Sequence, residues 1–98
     1  MKSIDDIKLI LKDNENIFSK YGVDLIGVFG SYVRGDADTS SDIDILINPN
    51  ETKPVTFFTL MDLEDELMNL LGIKIDLAIE RSLRPAIGKK ILKEVVKV

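Results

Sequence analysis

Asp42 and Asp44 stand one residue apart in Ser41-Asp42-Ile43-Asp44-Ile45-Leu46-Ile47, a run dominated by isoleucine. Side chains alternate along a strand with period 2, so both carboxylates project from one face while Ile43, Ile45 and Ile47 point into a core. Two anions aimed at one spot repel unless a cation sits between them, and carboxylate oxygens are what a hard divalent cation takes as ligands. Ten residues earlier, Gly30-Ser31 follows an apolar strand candidate, Val23 to Phe29, and opens a short helix-like turn. Free backbone N–H groups at such a turn, with glycine permitting close approach, suit a phosphate. A phosphate cradle beside a two-carboxylate metal site implies chemistry on a nucleoside triphosphate.

The full pattern is Gly30-Ser31, ten residues that include Arg34-Gly35, and then Asp42-Ile43-Asp44, with a strand on each side. In this it resembles the nucleotidyltransferase superfamily typified by DNA polymerase β, and most closely the minimal nucleotidyltransferase (MNT) family of prokaryotes. The resemblance covers nearly the whole chain. It implies a polymerase-β-like α/β (α+β) fold, a small mixed β-sheet with helices on one face. It implies ATP as substrate and two Mg²⁺ ions per active site, bridged by Asp42 and Asp44 and completed by Asp76. Two such ions stabilise the attacking and leaving oxygens when an acceptor displaces pyrophosphate. Gly30, Ser31 and Arg34 would bind the nucleotide. MNT chains often pair with a HEPN-type partner, which suggests AMP transfer to a tyrosine hydroxyl of a HEPN-type toxin, with this chain as antitoxin of a type VII-like toxin–antitoxin pair.

Each of these residues has a plainer reading. Asp42 and Asp44 suit a solvated strand edge or a turn cap, and Asp76 suits the exposed face of an amphipathic strand. Gly30-Ser31 suits a strand-to-helix turn, and Arg34 a surface pair with Asp36 or Asp38. Tyr32 suits either packing or base stacking. It is the joint spacing that favours the nucleotide site.

The elements that must hold these residues are legible from pattern. Ser3 reads as an N-cap, and Ile4, Ile7, Leu11, Phe18 and Tyr21 recur at near-helical spacing, predicting a first helix from about Ile4 to Tyr21, stopped by Gly22. Val23 to Phe29 is the first strand, Ser31 to Arg34 a helical turn, Gly35 to Ser41 a loop, and Asp42 to Ile47 the second strand. Asn48 to Pro54 is polar and proline-bearing, hence a loop. A second long helix is predicted from about Val55 to Leu71, striped by Phe57, Leu60, Leu63, Leu67 and Leu71 and ended by Gly72. Ile73 to Glu80 alternates and forms the third strand, with Asp76 and Glu80 opposite its apolar face. Pro85 suits the first turn of a helix reaching about Glu94, with Ser82 available to cap, and Val95 to Val98 is a short terminal strand or a fraying end. The face of the sheet left free of helices is where the carboxylates project.

Bulk properties bound the rest. At 98 residues, the chain reads as one domain spanning 1–98 with a modest core. With 45% apolar and 31% charged residues, its composition is that of a globular protein. No apolar stretch approaches the ~20 residues that span a bilayer, and the acidic N-terminus does not read as a signal peptide, so no membrane and a cytoplasmic location are expected. Cysteine and histidine are both absent, which removes disulfides, thiolate metal sites and histidine acid–base chemistry. A net charge of −4 argues against an extended nucleic-acid footprint. The basic residues Arg81, Arg84, Lys89, Lys90, Lys93 and Lys97 gather near the C-terminus, as a solvated helix face or a docking surface. A chain this small would need its acceptor brought by another protein, in a homo- or hetero-oligomer. Two further readings stand beside adenylyl transfer: a non-catalytic module that neutralises its partner by covering it, and an antibiotic-modifying nucleotidyltransferase.

Overall fold

The computed structural model describes residues 2–98. Helix α1 (Ile4–Asp13) opens on a reciprocal cap: the Ser3 hydroxyl accepts from the Asp6 N–H, and Asp6 accepts from the Ser3 N–H, both at 3.1 Å. The first helix does not run on to Tyr21. It breaks at Asn14, whose side-chain amide donates to the Ile10 carbonyl at 2.8 Å and whose N–H turns to Leu11, and α2 (Glu15–Lys20) starts afresh. An Asn side chain competing for backbone carbonyls is a known way to end a helix, and here it redirects Ile17 and Phe18 inward.

Strand β1 (Val23–Phe29) and helix α3 (Ser31–Arg34) lie where the pattern predicts. Strand β2 (Ile43–Pro49) starts one residue later than expected and absorbs Asn48 and Pro49 from the predicted loop. Pro49 is tolerated because it is the last residue of the strand. Helix α4 (Phe57–Leu71) is capped by Thr56, and β3 (Ile75–Ile79) is shorter at both ends than predicted. A 3₁₀ turn (Glu80–Ser82) precedes helix α5 (Pro85–Glu94), whose cap position is Arg84 rather than Ser82, and β4 (Val96–Lys97) closes the chain.

The sheet order is β3-β2-β1-β4, with β2 parallel to β3 and β1 antiparallel to both β2 and β4. The terminal residues therefore form a true, if brief, strand. One face of the sheet carries Val28, Ile43, Ile45, Ile47 and Ile75 into a core shared with Ile7, Leu11, Phe18, Leu63, Leu67 and Leu71 from α1, α2 and α4. The period-2 reading of β2 holds: Ile43, Ile45 and Ile47 are fully buried. Phe57 leaves the predicted stripe. It and Phe58 are about three-quarters exposed, because the core contacts of α4 begin only at Leu60. The parallel β2–β3 pair, joined through α4, puts Asp44 directly opposite Asp76 in register. Both fall on the face away from α1, α2 and α4. Leu46 shares that face and is nonetheless fully buried.

Candidate active site

Three segments converge at the end of β1 and the start of β2 and β3. The β1–β2 register sets Phe29 against Asp44, so the chain leaves β1 at Gly30 beside the carboxylate. Gly30 adopts φ 87° and ψ −155°, a conformation that L side chains rarely reach. A Cβ there would collide with the Asp44 carboxylate, so glycine is demanded twice over. Ser31 follows as the first residue of α3, half-buried, and the Gly30 carbonyl accepts from the Val33 and Arg34 N–H groups at 3.0 Å. Tyr32 turns into the core at 7% exposure, which resolves its two readings in favour of packing.

Asp44 is partly buried, Asp76 is exposed across the strand pair, and Asp42 is exposed just before β2. The Ile43 N–H donates to the Lys74 carbonyl at 2.8 Å, which ties the approach to β2 to the approach to β3 and keeps Asp42 near Asp76. Burial pushes the Asp44 carboxyl up from its ordinary 3.8 to about 6, with like charge from Asp76 and then Asp42 adding to it and Arg34 opposing it. Asp44 therefore feels the charge of both other aspartates. Among the described residues, no group of three or more side chains is already closed around a point as a metal cage. The donor set nonetheless fits Mg²⁺: hard carboxylate oxygens crowded by like charge, with space left for water and phosphate oxygens, on which Mg²⁺ relies for much of its shell.

Glu64 is the site residue that strand-based reading does not find. It reaches over from α4 into a groove of about 420 Å³ that Asp42, Lys74 and Asp76 also line. Burial raises its carboxyl above the ordinary range, with Asp76, Asp65 and Asp42 adding like charge. Its sequence signal is faint, since Glu64 lies beside Leu63 and Leu67 at an ordinary flanking position of an amphipathic helix. A larger groove, about 530 Å³, lies beside the carboxylates rather than over them, between Tyr32, Thr39, Ser41 and Lys74.

Arg34 does not pair with Asp38, which instead accepts from Ser40 and Ser41 within its own loop. Its Nη1 donates to Glu94 Oε1 at 2.7 Å and its Nε to Asp36 at 3.4 Å. The Arg34 side chain is half exposed and lies close enough to Asp44 to favour its ionised form. Glu80 lies just past β3, as the first residue of the 3₁₀ turn, where it accepts from the Asn48 side-chain amide at 3.0 Å, away from the end of the strand that carries Asp76.

The nucleotidyltransferase domain model matches residues 5–98. The protein adenylyltransferase MntA of Thermococcus cleftensis is 41% identical over 99 residues, covering 100% of this chain and 98% of that protein. A solved structure provisionally named a minimal nucleotidyltransferase superposes with a TM-score of 0.82 at 27% identity, over 99% of this chain and 97% of that one. A chain in a crystal structure of a toxin–antitoxin with AMP-PNP gives a TM-score of 0.65 at 26% identity, over 86% of this chain and 71% of its own.

Proposed function

This chain belongs to the nucleotidyltransferase domain family, and on that premise we propose that it is an Mg²⁺-dependent protein adenylyltransferase, moving AMP from ATP to a tyrosine hydroxyl of a HEPN-type toxin partner. The observation that carries this reading is the register of β2 and β3, which sets Asp44 against Asp76 next to the Gly30-Ser31 turn. Adenylyl transfer needs a triphosphate held by its tail and carboxylates gathered at its α-phosphate, and the end of this sheet offers both. The similarity to a protein adenylyltransferase along the full chain supports AMP as the transferred group. The likeness to a toxin–antitoxin chain crystallised with AMP-PNP supports ATP and a toxin partner.

In this reading, Ser31 binds the phosphate tail through its N–H and hydroxyl. Gly30 brings the backbone close, and Arg34 adds charge-assisted hydrogen bonds. Asp42 and Asp44 would hold both Mg²⁺ ions, and Asp76 would complete the set on the acceptor side. Bound there, the ions supply Lewis-acid stabilisation of the attacking and leaving oxygens. The chain's own part is orientation: Asp44 is set by its place in β2, close against Gly30, while Asp76 is exposed on edge strand β3 and open to an arriving acceptor. The acceptor oxygen forms a bond to the α-phosphorus, the bond to the bridging oxygen breaks, pyrophosphate leaves, and the hydroxyl proton passes to a base or solvent.

The deciding experiment incubates the purified chain, its HEPN-type partner, Mg²⁺ and ATP labelled in the α-phosphate. Label on a partner tyrosine, lost in the Asp42→Asn/Asp44→Asn double variant, is the expected result. Tight association without label would assign the chain instead to neutralisation by covering.

A further inference from the structure

Glu94 is the last residue of α5, sixty-four positions from Gly30 in sequence, yet its carboxylate touches both ends of α3. Oε2 accepts from the Gly30 N–H at 3.1 Å, and Oε1 accepts from Arg34 Nη1 at 2.7 Å. A four-residue helix cannot hold itself together, because nucleation fixes several residues for a single hydrogen bond. It takes its shape from what it touches. Here one carboxylate spans it, gripping the residue before its first turn and the residue that ends it. Ser31 lies between the two grips.

The rest of α5 does not explain this contact by packing. None of its side chains is buried, Ile87 and Leu92 are about half exposed, and no α5 residue joins the hydrophobic core. The Glu94 side chain is the well-covered one, at 21% exposure, against 51% for Arg34. Immediately after it, β4 pairs with β1 at Gly27 and Val28, which anchors the backbone that presents the carboxylate. The construction ties the end of the chain to the turn that would receive phosphate.

We propose that Glu94 is a positioning residue for nucleotide binding, clipping Gly30 and Arg34 so that Ser31 and the guanidinium are already placed when the triphosphate arrives. It acts through those residues and touches no reacting atom. This inference rests on the nucleotide reading of the Gly30-Ser31 turn. Preorganisation of this kind shows in affinity: without the clip, part of the binding energy goes into ordering the turn. Glu94 should therefore govern how tightly ATP is held and leave the transfer step at saturating ATP nearly unchanged.

The test is the dissociation constant of Mg²⁺–ATP by calorimetry, with single-turnover transfer to the partner, for the unmodified chain, Glu94→Gln and Glu94→Ala, each melted thermally to establish the folded fraction. Glu94→Ala removes both grips and should weaken nucleotide binding about tenfold, the size of a lost hydrogen bond to a charged group. Glu94→Gln keeps an oxygen for the Gly30 N–H but loses the ion pair, so its loss should be smaller, with its fold closest to the original. Transfer rates at saturating ATP should agree within about twofold among folded variants. A lower melting temperature with unchanged dissociation constants in both variants would make Glu94 merely structural and overturn the proposal. Tighter binding in either variant would also overturn it, by making Glu94 a competitor for the phosphate donors. An unmodified chain that binds no nucleotide would instead overturn the nucleotide reading itself, a result distinct from either of these.

Discussion

Asp44→Asn should make the metal-free protein more stable at neutral pH. The Asp44 carboxyl titrates at about 6 in the folded chain against an ordinary 3.8, chiefly through burial and then through Asp76 and Asp42. A folded pKa above the unfolded one means that ionisation costs stability. That cost is absent below about pH 3.8, grows as pH rises through 6, and is complete above 7. Two units would correspond to ~3 kcal/mol, and solvent reaching this partly open site reduces that to about 1 kcal/mol or slightly more. For a domain of this size, such a gain raises Tm by roughly 5 °C. Asn has nearly the shape of the protonated carboxyl and carries no charge. Thermal melts in EDTA from pH 4 to 8 should show the variant above the unmodified chain at pH 7.5, the gap closing as pH falls through 6. Carboxyls that stabilise the fold, such as Asp6 and Glu66, are common to both proteins and cancel in the difference. A variant that melts lower at pH 7.5, or a gap that does not change with pH, would refute the reasoning and make Asp44 a structural residue.

Other outcomes follow from the same geometry. Ser31→Ala should weaken ATP binding by roughly 1–2 kcal/mol, whereas Asp76→Asn should leave ATP affinity nearly intact and slow single-turnover transfer; an unaltered rate would place the third carboxylate elsewhere. Mg²⁺ with a non-hydrolysable ATP analogue should raise Tm by mass action, and Mg²⁺ alone should do much less; calorimetry showing tight Mg²⁺ binding without nucleotide would contradict this. Gly30→Ala combines a strained φ with a collision against Asp44 and should cost about 2 kcal/mol or more in denaturant unfolding; a fully stable variant would mean the turn relaxes in solution.

The sequence by itself determined what depends on neighbours along the chain. Alternation placed Ile43, Ile45 and Ile47 in the core and Asp44 on the other face, because a strand's period follows from its backbone. Apolar patterning and glycine stops located β1, α3 and the end of α4, and the spacing of Gly30-Ser31 and Asp42-Ile43-Asp44 was enough to identify the family. Local competition was harder to read: Asn14 ends α1 through its own side chain, where apolar spacing alone runs on. Phe57 shows the limit of a stripe, since periodicity says which face a residue shares but not how far along the helix the core extends. What only the tertiary structure decided lies between segments distant in sequence. The parallel register that opposes Asp44 to Asp76, the arrival of Glu64 from α4, and the hold of Glu94 on Gly30 and Arg34 all follow from how α4 and α5 return to the sheet. No local pattern encodes those approaches, because they are set by the packing of whole faces rather than by the residues that finally meet.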